Sequence, residues 1–172
     1  MSTHLSFQVG NPIVLPIHGA GILKEVQQRE VMGRRMDYYI IEFPFNDLEQ
    51  IMVPVTMAEK VGLRRVSDNG KLEGIFDVLG HAFSDAEEEE SKSFHQRYRE
   101  YLEKVQSGDL RQVASVYRLL YHRSLSKPLG IKDKALFETA RQLLISEVVF
   151  AKGVPDERAR ELIDEAMDEI GF

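Results

Sequence analysis

The sequence predicts an α+β protein, in which a small, strongly bent β-sheet or barrel is followed by a domain of about five helices. Two observations predict this order. The first 66 residues contain short runs of β-branched and aromatic residues punctuated by glycine and proline, as is typical of strands and turns. After Leu72 the apolar residues recur every three or four positions, which is the spacing of a helix with one buried face.

Short apolar runs bounded by turn residues define the predicted strands. They cover residues 12–16, 22–26, 38–43 and 50–55. Gly19-Ala20-Gly21 is predicted to be a turn, and Met32-Gly33-Arg34 is predicted to connect two strands of a hairpin. Pro54 has no N–H to donate, so we expect it at a sheet edge or at the end of a strand.

Helix-ending and helix-capping residues separate the predicted helices. A short helix is expected near residues 72–79, and longer ones are expected over 94–106, 110–121 and 136–148, with a last helix opened by Pro155. Gly108 suits the position just after a helix, and Asp109 with Gln112 three residues on resembles a capping box.

The change of periodicity sets the predicted domain boundary. We expect a β domain at residues 1–66, a linker at the turn-rich residues 67–70 and a helical domain at residues 71–172. A second irregular stretch, residues 84–93, contains the acidic run Glu87–Glu90, which we interpret as a solvated loop or the first turn of a helix.

The distribution of charge is uneven. The net charge is -6, yet residues 92–143 carry 11 lysines and arginines against 5 acids, a net charge of +6. A basic segment between acidic ones points to an anionic partner, and its structural alternative is a solvated helical face. The chain has no cysteine, no signal-peptide pattern at its start and no apolar run of the roughly 20 residues that cross a bilayer. We therefore expect a cytoplasmic protein that has no membrane partner.

The sequence contains no recognisable catalytic or metal-binding motif. Its five histidines are not spaced as metal ligands, and Gly19-Ala20-Gly21 lacks the third glycine and helix of a phosphate loop. His18 is interpreted as a turn or core histidine. We expect a protein that is not an enzyme and has no cofactor or metal, although residues distant in sequence can still assemble a site.

Joint features of both halves resemble the CarD (CdnL) family of bacterial transcription regulators. In the first half they are Phe7 to Gly10, Val14 to Gly21, Tyr38 to Phe43, Met52 to Pro54 and Val61 to Arg64. In the second half they are Arg97-Tyr98, Leu102 to Lys104, Ser107 to Asp109, Val113-Ala114 and Ala140 to Leu144. The resemblance runs from about Phe7 to Met167 and implies a Tudor-like polymerase-interacting domain followed by a helical DNA-binding domain.

The resemblance also implies partners and contact residues. Members of this family bind the RNA polymerase β subunit in the holoenzyme and touch promoter DNA without reading its sequence, which stabilises the open complex and implies association with the nucleoid. The implied polymerase contacts are Arg29, Val31 and Met52, although some relatives carry arginine at the place of Met52. The implied DNA contacts are Phe94, Arg97, Arg99 and Lys134.

Phe94 departs from the family pattern, because many relatives have a tryptophan wedge there and this chain has no tryptophan. Phenylalanine can also act as an apolar wedge in DNA, and its structural alternative is the first residue of a helix's apolar stripe. A second functional hypothesis therefore stays open. It is a protein–protein adaptor that docks on polymerase, or on a repair helicase, without touching DNA.

Overall fold

Every β-strand among the described residues lies before residue 67, and every α-helix lies after it. The computed structural model describes residues 7–44, 50–81 and 91–168. The chain divides into two units, Met1–Val66 and Ser67–Phe172. The predicted α+β class, with a small sheet first and helices after it, is confirmed.

The strands of the first unit form one antiparallel sheet. They are β1 (Pro12–Leu15), β2 (Gly19–Val31), β3 (Arg34–Glu42), β4 (Gln50–Pro54) and β5 (Arg64–Arg65). Their order is β4-β3-β2-β1-β5, and a 3-10 turn at Val55–Met57 follows β4. Pro54 ends an edge strand, where a missing N–H interrupts no interior ladder. The prediction for Pro54 is confirmed.

One face of the sheet carries the core of this unit. Tyr39 and Val53 are paired across β3 and β4, and both are buried on that face. A β-bulge between Leu23 and Glu25 shifts the register of β2 against β3. Bulges bend a strand and increase its twist, so the sheet is expected to bend at this point.

Of the two glycines at the start of β2, Gly21 has a different role from the predicted one. Residues 19–21 pair with β1 instead of forming a turn, and the connection from β1 uses Pro16 to His18. A side chain at Gly21 would collide with the carbonyl oxygen of Glu42. Gly21 is therefore needed because two backbones approach closely. Gly19, which follows the connection, has a φ of 91° and takes the conformation expected of a turn glycine.

The hairpin between β2 and β3 extends beyond the core. Met32 and Gly33, with φ of 53° and 76°, form the two-residue turn that favours right-handed strand twist. The predicted turn is confirmed, but both strands reach further toward it than predicted. Residues 27–37 are partly or fully exposed on both faces of the hairpin, and their few apolar residues do not alternate regularly with polar ones.

The second unit is a bundle of helices around its own core. They are α1 (Asn69–Leu79), α2 (Phe94–Gln106), α3 (Leu110–Ser126), α4 (Ile131–Lys152) and α5 (Asp156–Asp168). The predicted cap Asp109 precedes α3, and its side chain accepts a hydrogen bond from the backbone N–H of Arg111 instead of Gln112. Tyr101, Leu120 and Leu144 are buried where α2, α3 and α4 pack together.

Residues 67–70, expected as a linker, are incorporated into the helical unit. Ser67 is buried, and both its backbone N–H and its hydroxyl donate to Oε1 of Glu147, at 2.8 and 2.7 Å. Asp68 accepts a hydrogen bond from the N–H of Lys71, and α1 begins at Asn69. The turn-forming residues therefore cap a helix. The acidic run Glu87–Glu90 lies outside the described residues.

Glu147 is 1% exposed, so its carboxylate is expected to stabilise the helical unit by satisfying two buried donors. Replacing Glu147 with alanine leaves both donors unpaired, which costs about 1–3 kcal/mol for each buried group. Urea unfolding followed by far-ultraviolet circular dichroism measures this loss. Glu147→Gln keeps an acceptor oxygen and should lose less. The exposed Glu138→Ala is the control, and equal stability of the two alanine variants would contradict the assignment.

Candidate functional site

The predicted polymerase contacts share one face of the β-sheet. Arg29 and Val31 are two residues apart on β2, so their side chains point the same way. Arg29 pairs with Met36 on β3, and Met52 on β4 pairs with Ile40, which lies four residues further along β3. Paired residues and residues an even number apart lie on the same face. The face that carries Arg29, Val31 and Met52 is therefore opposite to the face of Tyr39.

Polar contacts hold the Arg29 side chain along the surface of β2. Its Nε and one terminal nitrogen donate to Oε1 of Gln27, at 3.2 and 3.0 Å, and the Gln27 amide in turn donates to Glu25. Val31 and Met52 are both exposed on the same face. On this face Met52 lies on β4, the outermost strand on that side of the sheet. Arg29 and Val31 lie on β2, level with residues of β3 beyond those that pair with β4.

In the helical unit, the first turns of α2 and α4 lie together. Arg97 donates to Oδ2 of Asp133 over 2.6 Å, which joins the two helices through a buried ion pair. Arg123, near the end of α3, lies 3.8 Å from the same carboxylate oxygen. The ammonium group of Lys132 lies 5.3 Å from the centre of the Tyr98 ring. We call residues 94–99 and 131–134 together the α2–α4 corner.

The structure removes Arg97 from the predicted set of DNA contacts. Its side chain is only 3% exposed and is engaged with Asp133, so it cannot reach a phosphate from this position. Arg97 lies one helical turn before Tyr101 and two turns before Val105, and all three are buried on the same stripe of α2. That spacing is the sequence signal that indicates a buried position.

Phe94 lies at the exposed start of α2 and is held by its neighbours. Its side chain is 40% exposed, and its ring stacks on Tyr98 with centres 5.8 Å apart and planes 20° apart. The Arg97 guanidinium lies 5.4 Å from the centre of the Phe94 ring, and His95 meets the ring edge-on. Phe94 is therefore an aromatic residue at the surface that its neighbours hold in place. The buried side of α2 begins at Arg97 and continues through Tyr101 and Val105.

The other predicted DNA contacts, Arg99 and Lys134, are exposed cations of the same corner. Arg99 follows Tyr98 on α2, and Lys134 lies in the first turn of α4. Lys132 was not singled out from the sequence, because it meets Tyr98 only when α2 and α4 are packed together. The structure thus places Phe94 and Arg99 on α2 and Lys134 in the first turn of α4, and it adds Lys132, which contacts Tyr98.

Two titratable side chains elsewhere pack against aromatic rings. His18 packs beside the Phe43 ring, and its partial burial lowers its pKa, so the imidazole is neutral at neutral pH. Burial raises the pKa of Tyr117 to about 12, and this ring stacks on Phe137 in the helical core. Within residues 7–44, 50–81 and 91–168, no acids, histidines and cysteines are grouped as metal ligands. No helix in these ranges is both long and apolar enough to cross a membrane.

Comparison with known proteins identifies both units. Residues 7–67 match the family described as CarD-like/TRCF RID domain, and residues 75–164 match the family described as CarD, C-terminal domain. YdeB of Bacillus subtilis (strain 168), provisionally named as a transcription factor, is 29% identical over 154 residues, which cover 90% of this chain and 97% of that protein.

The two matched domains define a class of transcription regulator whose N-terminal unit is an RNA polymerase interaction domain. The chain belongs to the CarD family, in the order of domains that the resemblance implies. This family is one of regulators and adaptors and not a known class of enzyme.

Because the Arg97–Asp133 pair is buried, breaking it is expected to destabilise the helical unit strongly. Arg97→Ala leaves the buried Asp133 carboxylate with only the longer contact to Arg123, at 3.8 Å, so the loss should approach the about 3–5 kcal/mol typical of breaking a buried pair. The exposed Arg99→Ala, two residues away, should change the free energy of unfolding by no more than about 0.5 kcal/mol. Replacing both partners, with Arg97→Met and Asp133→Leu, should recover much of the loss. Urea unfolding measures all three, and equal stability of the two single variants would show that Arg97 is solvated.

Proposed function

We propose that the protein stabilises the open promoter complex by binding the polymerase β subunit through residues 1–66 and upstream promoter DNA through the helical domain. The observation that carries the proposal is an exposed aromatic ring, Phe94, among exposed cations in a chain that has a polymerase interaction domain. Apolar wedges that unstack base pairs and cations that neutralise phosphates are the two features by which proteins hold distorted DNA. Such a protein acts on the nucleoid.

The proposed polymerase contact uses the edge of the sheet. A strand of the β subunit would pair with β4, whose outer side has no neighbouring strand among the described residues. Main-chain hydrogen bonds would supply affinity, and the outward-facing Met52, Arg29 and Val31 would supply specificity. Met52 contributes apolar surface there in place of the charge that some relatives carry, so Arg29 bears the electrostatic part of the interaction.

The proposed DNA contact is weak by itself and does not read sequence. Arg99 and Lys134 supply phosphate contacts, and Phe94 enters the minor groove at the upstream edge of the melted region. A protein of net charge -6 has little affinity for free DNA, but binding to polymerase raises its local concentration at the promoter. The tether therefore explains how an acidic protein acts on DNA.

A protein–protein adaptor is the alternative function. The acidic N-terminal region, with 15 acids against 8 basic residues over positions 1–91, favours a protein partner. The matched N-terminal family also bears the TRCF name, which agrees with docking on polymerase or on a repair helicase. An adaptor predicts that retention on promoter DNA is unaffected by substitutions at the α2–α4 corner.

Reversal of charge at Arg29 is expected to weaken binding to polymerase. Arg29→Glu places an acid on the face proposed for the β subunit, and a loss of at least tenfold in affinity, about 1.4 kcal/mol, is expected. Arg35→Glu is a matched control, because Arg35 lies on the same hairpin and on the opposite face. Calorimetric titration of polymerase with each variant measures the effect. Equal losses in both variants would remove Arg29 from the interface.

Phe94→Ala distinguishes the two possible roles of Phe94, as a DNA wedge or as a core residue. Since the ring is 40% exposed, Phe94→Ala should cost well under the roughly 3–5 kcal/mol of a buried phenylalanine, and its melting temperature should stay near that of the wild type. The lifetime of the open complex, measured after addition of a competitor, should fall about tenfold or more, because unstacking is worth a few kcal/mol.

Phe94→Trp provides the opposite change at the same position. It should match or exceed the wild-type lifetime, since the indole offers a larger stacking surface. An unchanged lifetime in Phe94→Ala would favour the adaptor.

A further inference from the structure

We propose that Lys132 is a further phosphate-binding residue of the α2–α4 corner, an inference that rests on the proposed function. The observation behind it is a row of three groups. The Lys132 ammonium lies over the Tyr98 ring, at 5.3 Å from its centre, and the Tyr98 ring stacks on Phe94 at 5.8 Å. Lys132 of α4 and the Tyr98 and Phe94 rings of α2 thus form one continuous row, in which a cation lies over the first of two stacked rings.

The spacing of this row suits a wedge and its flanking phosphate. The two distances place the ammonium within about 11 Å of the centre of the Phe94 ring. The minor groove is about 6 Å wide, and each strand carries one phosphate per roughly 3.4 Å along its axis. A ring inserted into that groove therefore has phosphates of both walls within reach of a lysine at this distance.

Helix stability does not account for a lysine at this position. Lys132 lies in the first turn of α4, where the helix dipole favours acids and disfavours cations. The acid of that turn, Asp133, is engaged with Arg97. Among the residues that the structure describes, no carboxylate lies within salt-bridge distance of Lys132. Contact with the Tyr98 ring contributes little at an exposed site, so an external anion is the partner that suits this charge.

Lys152, at the other end of α4, makes the same kind of contact with an aromatic ring, and there helix stability explains the lysine. Its ammonium lies 5.7 Å from the centre of the Phe76 ring, and it is in the last turn of α4, where the dipole favours a cation. Phe76 packs against the helical core. Tyr98 is partly buried against the same core, but its ring also stacks on the exposed Phe94. The two lysines therefore share a helix and a contact with a partly buried ring, and they differ in that Lys132 lies next to the proposed wedge. Lys152 is therefore a matched control.

The experiment uses the full chain, RNA polymerase and promoter DNA, and compares Lys132→Met with Lys152→Met. Methionine keeps an aliphatic chain over the ring and removes the charge. Lys132→Met should shorten the lifetime of the open complex about threefold to tenfold. The slope of log lifetime against log salt should become less steep by up to about 0.9, the value of one phosphate contact in a binding constant. Lys132→Arg should retain the wild-type lifetime and slope. Lys152→Met should leave the lifetime and the slope unchanged.

The remaining outcomes separate this inference from the proposed function. If Phe94→Ala shortens the lifetime and Lys132→Met does not, the phosphate role of Lys132 is overturned and the proposed function stands. A shorter lifetime with an unchanged salt slope would also overturn it, because Lys132 would then act only by supporting Tyr98. If neither variant changes the lifetime, both the inference and the proposed function fail. The melting temperature of Lys132→Met should equal or exceed that of the wild type, since a cation leaves a helix N-terminus.

Discussion

The buried ion pair between Arg97 and Asp133 is the constraint on which the candidate DNA-binding corner depends. It joins the first turn of α2 to the first turn of α4, so the groups carried by those turns hold fixed positions. Arg97 also lies against the Phe94 ring, and Asp133 is the neighbour of Lys132. One interaction thus positions an aromatic residue on one helix and a cation on the other.

The ion pair by itself contributes little to the stability of the helical unit. Desolvation of two charges offsets most of their attraction, and Nε of Arg97 and Oδ1 of Asp133 are buried without a hydrogen-bond partner among the described residues. Apolar side chains of similar volume would pack there at little or no cost. A buried pair of this kind is better explained by the single arrangement of helices that it selects, which is the property that a preorganised binding surface needs.

The sequence predicted the order of elements well, because periodicity and turn chemistry are local properties. The Met32-Gly33 turn and the cap at Asp109 could be read from two or three neighbouring residues. Contacts between segments that are distant in sequence could not be predicted in this way. Arg97 was assigned to DNA because the family resemblance implied it, although its spacing from Tyr101 indicates the buried stripe. Lys132 lies 34 positions from Tyr98, so only the packed helices reveal their contact.

On the proposed function, the absence of tryptophan changes how a DNA wedge is built in this chain. A single phenylalanine ring has less stacking area than an indole and no N–H to donate. Here Phe94 stacks on Tyr98, which Lys132 covers in turn, so the exposed ring is backed by a second ring and a positive charge. Backing of this kind limits the rotamers available to Phe94 before DNA is bound and lowers the entropy cost of inserting it. On the proposed function, support from α4 compensates for the smaller ring, so the strength of the wedge is a property of two helices and not of one side chain.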